Sequence, residues 1–249
     1  MKRWGAAFAL FLIAAVGLSF CALRSPPAQP LPILWAWERP EDLRFAAGRA
    51  EVAVLAGTVT LRGDQASAQP RLQPARVMPD QPVISVVHIE IDRRVPLIPT
   101  PALEARAADI ALMLARNVPA PTVQIDFEVR GSERDILLGI VRGVRQGLPE
   151  DTKLSMTALA SWCDTESWIE AAPVDEIVPM LFRMGPDGEP LKRRLAEGGD
   201  FRNGRCRTAI GIATDTPPYG LPPNRRLYIF APRPWTERDF QTILSRTRQ

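Results

Sequence analysis

Eight short apolar runs, each closed off by proline, glycine or charged residues, constrain this chain more than any other feature. They cover residues 33–37, 52–55, 83–91, 122–128, 154–158, 177–182, 208–212 and 227–230. Most are continuous rather than alternating, the pattern of strands covered on both faces, as in parallel sheets. Helical patterns lie between several of them. Thr100 stands as an N-cap before Pro101, with Leu103, Ala107, Ile110, Ala111 and Leu114 forming one apolar stripe. Ser132 stands as the cap of a second helix, with Asp135 at its third position and Ile136, Ile140 and Val144 inward. Thr236 precedes a last one, with Asp239 at its third position and Phe240, Ile243 and Leu244 buried. Shorter helices are expected at 40–49, 166–171 and 188–197.

Alternating strands and helices define an α/β protein, and eight strands predict a closed (β/α)8 TIM-like barrel rather than an open sheet. The 249 residues are near the lower size limit of such a barrel. Residues 57–82 read as a polar loop, and 214–224 hold four prolines, so an economical barrel with some outer helices missing is expected. Proline, at 25 residues, is about twice its usual share of ~5%, which favours many short elements with fixed connections.

The N-terminus reads differently. Lys2 and Arg3 precede an apolar run from Gly5 to Phe20, the layout of an export signal. Leu18-Ser19-Phe20-Cys21 resembles a bacterial lipoprotein box, although Phe20 stands where a small residue is usual. That makes Cys21 the candidate lipidation site. Simple cleavage near Cys21 or Ala22 and an uncleaved membrane anchor stay open beside it. The organisation expected is thus a signal or anchor over 1–23, a proline-rich tether over 24–32 and one barrel domain over 33–249. The localisation expected is the periplasm or cell envelope, with a tether to the membrane.

With Cys21 set aside, Cys163 and Cys206 form an even pair in an exported domain, which predicts one disulfide. A closed loop of about 44 residues is worth about 4 kcal/mol in the chain-entropy account. A zinc site is disfavoured, because the chain has no CxxC and a single histidine. Without Lys2 and Arg3 the formal net charge falls from +3 to +1, and no basic cluster interleaves with aromatics, so nucleic acid is not an expected partner. No glycine-rich phosphate loop or dinucleotide fingerprint is present, so neither a nucleotide nor any other cofactor is expected.

The richest chemistry lies in V-Q-I-D-F-E at 123–128. Strand side chains alternate, so Gln124, Asp126 and Glu128 share a face, and alternate Cα atoms lie about 6.5–7 Å apart. A carboxylate pair at the end of an apolar strand suits glycoside hydrolysis, which needs one proton donor and one base or nucleophile. The equally simple alternative is two rim acids bound to arginines or backbone amides. His88 and Glu90 share a face of V-V-H-I-E-I-D and join the candidate catalytic set, although a lone histidine in an apolar strand is as often a hydrogen-bonded core residue. Trp35 and Trp37, followed by Glu38, end the first run; Trp162 and Trp168 follow the fifth, and Trp235 the eighth. Indoles ringing a barrel mouth suit the apolar faces of sugar rings, while core packing is the other reading. Arg183 follows the sixth run, placed to hold a rim acid or an acidic ligand. The expected substrate-binding set is therefore Trp35, Trp37, Glu38, Gln124, Trp162, Arg183 and Trp235.

Six stretches carry a resemblance: W-A-W-E-R-P-E-D-L, V-A-V-L-A-G-T-V-T-L-R-G-D, V-Q-I-D-F-E-V-R-G-S-E-R, L-S-M-T-A-L-A-S-W-C, V-D-E-I-V-P-M-L-F-R-M-G and L-Y-I-F-A-P-R-P-W-T. Together they resemble a bacterial family, domain of unknown function 3142, over about residues 33–246. That family name implies no activity. More distantly, I-D-F-E is similar to the fourth-strand motif D-x-x-D-x-D-x-E of family 18 glycoside hydrolases, which are TIM barrels. Asp126 and Glu128 match its last two aspartates, while Val123 and Arg130 replace its first aspartate and its acid glutamate. V-P-M-L-F-R is similar to the sixth-strand M-x-Y-D pattern, with Phe182 and Arg183 in place of its polar pair. The resemblance implies an envelope barrel that acts on polysaccharide, or one that binds a glycan or a protein without turnover.

Overall fold

A computed structural model describes residues 30–182, 184, 188–216 and 220–247. The signal segment, Cys21 and residues 24–29 of the tether lie outside the described residues, as does Arg183. Among the described residues, no helix is long and apolar enough to cross a membrane.

The chain runs through β1 (Ile33–Ala36), β2 (Glu41–Asp42), β3 (Glu51–Arg62), β4 (Gln65–Pro70), β5 (Ala75–Arg76), β6 (Val83–Ile91), α1 (Pro101–Ala115), β7 (Thr122–Phe127) and α2 (Arg134–Gly147). It continues through β8 (Lys153–Leu159), α3 (Trp162–Thr165), β9 (Glu176–Met180), α4 (Gly188–Ala196), β10 (Ala209–Ala213), β11 (Arg226–Phe230) and α5 (Glu237–Thr247). Eight parallel strands follow one another in the order β1, β3, β6, β7, β8, β9, β10, β11, and β1 pairs with both β11 and β3 to close the ring. All eight expected strands are present, and the fold is a TIM-like (β/α)8 barrel with few helices.

Two faces explain the continuous apolar runs. Outward residues such as Val87, Ile89, Ile125 and Met156 pack against α1 and α2 in the largest core cluster. Inward residues such as Ile33, Ala53, Ile84, Val86 and Val178 fill the barrel itself. Helices α1 and α2 approach closely because of a glycine stripe. A methyl group on Gly143 would lie 2.7 Å from the Ala108 Cβ, and one on Gly147 would strike Leu112. Thr100 caps α1 as expected, its Oγ1 accepting from Leu103 N–H at 3.1 Å. Thr236 caps α5 in the same way, through Asp239 N–H. Ser132 does not cap α2. A 3-10 turn, Gly131–Glu133, leads into that helix, and the Glu133 carboxylate holds the Arg130 N–H at 2.7 Å.

Residues 57–82 are not the expected loop. β3 runs on past the barrel rim to Arg62, turns through Gly63 at φ +60°, and returns as β4. The alternation of Thr58, Thr60 and Arg62 with buried Val59 and Leu61 sustains this hairpin. Its start is a bulge between Leu55 and Gly57. A side chain at Gly57 would sit 2.7 Å from the Gln69 carbonyl oxygen, so only glycine allows that crossing. Residues 40–49 also depart from expectation. They hold only a 3-10 turn, Arg44–Ala46, because Glu41 and Asp42 pair with Ala75 and Arg76 instead. Residues 166–171 likewise yield a 3-10 turn, Trp168–Ala171.

Cys163 and Cys206 are joined, with Cα atoms 5.9 Å apart and both sulfurs in the core. The bridge ties α3 to the 3-10 turn Gly204–Cys206 ahead of β10. It staples the stretch from β8 to β10, where helices are short.

Candidate functional site

Inside the barrel two polar clusters stand one above the other. The lower one links six strands. Trp35 Nε1 donates to Gln124 Oε1 at 2.9 Å, and Gln124 Nε2 donates to Ser155 Oγ at 3.1 Å. Ser155 Oγ in turn donates to Glu176 Oε2 at 3.1 Å, which also accepts from Tyr228 OH at 2.5 Å. Arg226 spans the other Glu176 oxygen, at 2.9 Å, and Glu51, at 3.0 Å. Burial, followed by the Glu176 charge, pushes the Tyr228 phenol upward, so it stays protonated and donates. Gln124, expected to touch substrate, is fully buried in this floor, and Trp35, also expected to touch substrate, caps it, donating to Gln124 below and lining an apolar cleft above.

The upper cluster opens at the C-terminal ends of the strands, where barrel sites form. Register pairs His88 of β6 with Asp126 of β7. His88 Nδ1 lies 3.0 Å from Asp126 Oδ2, and Thr157 Oγ1 donates to Asp126 Oδ1 at 2.7 Å. The Asp126 side chain is 11% exposed, whereas that of His88 keeps 24%. Burial opposes charge on the ring, but the hydrogen bond and charge of Asp126, with the charge of Glu90, outweigh it and raise the His88 pKa above 6.5. An aspartate on Nδ1 fixes the tautomer with Nδ1 protonated, which leaves Nε2 as the basic atom. No described residue hydrogen-bonds to Nε2.

Trp37 completes the mouth. Its ring is half-buried and stands edge-to-face with His88, with centroids 5.1 Å apart. Phe230 lies 6.1 Å from Trp37 and stacks on Phe182 at 5.7 Å. Beside them lies a tight apolar cleft with no room for a water molecule, floored by Trp35 and Tyr228 and walled by Met180, Phe182 and Phe230. Glu90 is exposed and accepts from Thr60 Oγ1 at 2.9 Å. Glu128 is exposed one step beyond β7, where its charge reaches Arg93.

The expected residues therefore separate. His88, Asp126, Glu90 and Trp37 come together. Asp126 pairs with His88 and Thr157 rather than with Glu128, because neighbouring strands bring side chains closer than two steps along one strand. Trp162 and Trp235 are 4% and 5% exposed and are not plates at the mouth. Trp162 packs on Trp168, which carries Arg134 over its ring. Trp235 lies between the barrel wall and α5, its Nε1 donating to the Trp35 carbonyl and its N–H to Glu41. Residues after a strand end turn outward as readily as inward, and these two turn outward.

Glu38 is engaged by the backbone N–H groups of Leu72 and Gln73, both at 3.1 Å. It works with Arg71, which sequence reasoning missed. The Arg71 guanidinium donates to the carbonyls of Ala36, Trp37, Arg39 and Gln73. Burial lowers its pKa. Together they pin the Trp37 backbone to the segment leaving the hairpin. Thr157 was missed as well; its signal was its inward parity on the strand next to Asp126. No protein-family model and no curated protein matches this sequence.

Proposed function

We propose that this is an exported envelope protein whose barrel mouth acts on polysaccharide. The observation that carries the reading is the Asp126–His88 pair, with Nε2 free beside the half-buried Trp37 at the C-terminal mouth. An aspartate-oriented imidazole moves protons near neutral pH, and an indole face receives the apolar side of a sugar ring. In this reading His88 Nε2 and the exposed Glu128 carry proton transfer. Asp126 orients His88, and Glu90 adds negative charge beside it. The similarity of I-D-F-E to the fourth-strand motif of family 18 barrels supports the same mouth.

The test incubates the purified full chain with peptidoglycan and with neutral polysaccharides and measures new reducing ends. His88→Gln and Asp126→Asn lower turnover by about 10²-fold or more without unfolding the protein. Unchanged turnover in both variants removes the catalytic reading. A second reading, binding without turnover, is favoured by the cleft, which is too tight to hold even a water molecule, so a ligand would rest on the mouth rather than be enclosed by it. It predicts retention on glycan columns with no new reducing ends. A wild-type protein that neither cleaves nor is retained excludes both.

A further inference from the structure

The hairpin that replaces a helix after β3 carries a surface of its own. β3 and β6 extend together past the barrel rim, and β4 adds to their edge. On the outer face Val59, Leu61, Ala66 and Ile89 are buried in the core cluster that includes α1. The opposite face continues the barrel interior upward and is polar throughout. Register aligns its residues into rows. Gln69, Thr58, His88 and Asp126 lie opposite one another on four adjacent strands, and Ser67, Thr60 and Glu90 form the next row. The Thr60–Glu90 and His88–Asp126 hydrogen bonds confirm that these side chains meet on this face. Thr58 and Thr60 are half-buried, while Ser67, Gln69 and Glu90 are exposed.

From Asp126 to Gln69 the first row spans three strand spacings, about 14 Å, which is wider than one pyranose ring. It leads from the His88–Asp126 pair outward without a step. Its groups are an amide, a hydroxyl, an imidazole and a carboxylate, a set that exchanges hydrogen bonds with alcohols. Charges at the far end are already matched, Asp92 pairing with Arg62 and Arg94. Beside the mouth, among the described residues, His88 faces Asp126, and the exposed Glu90 and Glu128 add negative charge.

We propose that this wall is a binding surface for the continuation of a linear, uncharged, polyhydroxylated chain whose end unit lies at His88 and Trp37. The proposal rests on the carbohydrate reading of the mouth and adds length and charge selectivity to it. Long chains bind more tightly than short ones, because only they reach Ser67 and Gln69. Anionic chains bind more weakly, because Glu90 and Glu128 repel them.

Calorimetric titration of the full chain tests this with neutral cello-oligosaccharides of increasing length and with oligogalacturonates. The wild type binds the longer neutral oligomers about tenfold more tightly than cellobiose. The double variant Ser67→Ala with Gln69→Ala removes that gain, leaves cellobiose affinity unchanged, and melts like wild type because both positions are exposed on an edge strand. Glu90→Gln narrows the preference for neutral over anionic chains. Affinity that is independent of length, or a length gain that survives the double variant, overturns the wall while leaving the mouth reading intact. A wild type that binds no oligosaccharide of any length overturns both.

Discussion

The floor and the mouth of this barrel are built from similar parts and behave differently. Each centres on a partly sheltered carboxylate held by side chains of other strands. At the floor, both Glu176 oxygens are engaged, by Arg226, Tyr228 and Ser155, and Arg226 is itself shared with Glu51. At the mouth, both Asp126 oxygens are engaged too, but the partner histidine presents a second nitrogen to the outside. A saturated cluster holds strands in register, while one with an open valence at the strand ends has chemistry left to do. Depth alone does not tell them apart; the unspent atom does.

The comparison breaks most visibly if the floor is cut. Arg226→Met removes the cation from two acids whose side chains are 11% and 23% exposed. Breaking a fully buried pair costs about 3–5 kcal/mol, so partial exposure here brings the loss to about 2–3 kcal/mol in urea unfolding. Any glycan affinity measured at a temperature where the variant is folded stays near wild type. A stable variant with lost affinity would mean that the roles of floor and mouth are reversed.

How much of this was legible in the sequence follows the same division. The eight strands were visible because apolar runs covered on both faces leave a continuous signal. That Asp126 and Glu128 share a face was visible too, since parity is a property of one strand. The choice of His88 as the partner of Asp126 was not, because register between β6 and β7 is set by the assembled sheet. The directions taken by Trp162 and Trp235 were hidden for the same reason. The hairpin was within reach. Thr58-Val59-Thr60-Leu61-Arg62 and Gln65-Ala66-Ser67-Ala68-Gln69 alternate with period two around a Gly63-Asp64 turn, a hairpin signature masked by polar composition. The four-residue spacing of Gly139, Gly143 and Gly147 on α2 was a similar unread sign of close helix packing.

A smaller effect is expected at the mouth. Thr157→Val removes one hydrogen bond from Asp126 and leaves Oδ1 unsatisfied at a buried position, at a cost of about 1–2 kcal/mol. Asp126→Asn keeps an acceptor for Thr157 but turns an amide NH2 toward His88, so the charge and the Nδ1–H bond are lost while the neutral ring can switch tautomer and accept at Nδ1, at a cost of about 1 kcal/mol. Both variants therefore unfold at higher urea than Arg226→Met. Should Asp126→Asn prove the most destabilised of the three, the mouth would be a structural cluster like the floor, and the distinction between them would fail.

The least effect on stability, and the sharpest probe, comes from the titration of His88. The chain has one histidine, so its two ring C–H protons give one unambiguous pair of NMR signals to follow with pH. The wild-type pKa lies above 6.5 because the Asp126 interactions and the Glu90 charge outweigh burial. A pKa raised in the folded state stabilises the fold fully below the unfolded value. That stabilisation disappears as pH rises through the folded one. Wild type therefore loses stability relative to His88→Gln between about pH 6.5 and the folded pKa, and the difference is flat above it. In Asp126→Asn the largest opposing interactions are gone, burial prevails, and the His88 pKa drops. In Arg226→Met it does not move, because the floor network holds no hydrogen bond to the ring. A His88 pKa that ignores Asp126→Asn but follows Arg226→Met would show that the two clusters titrate as one, and that the mouth is not independently tuned.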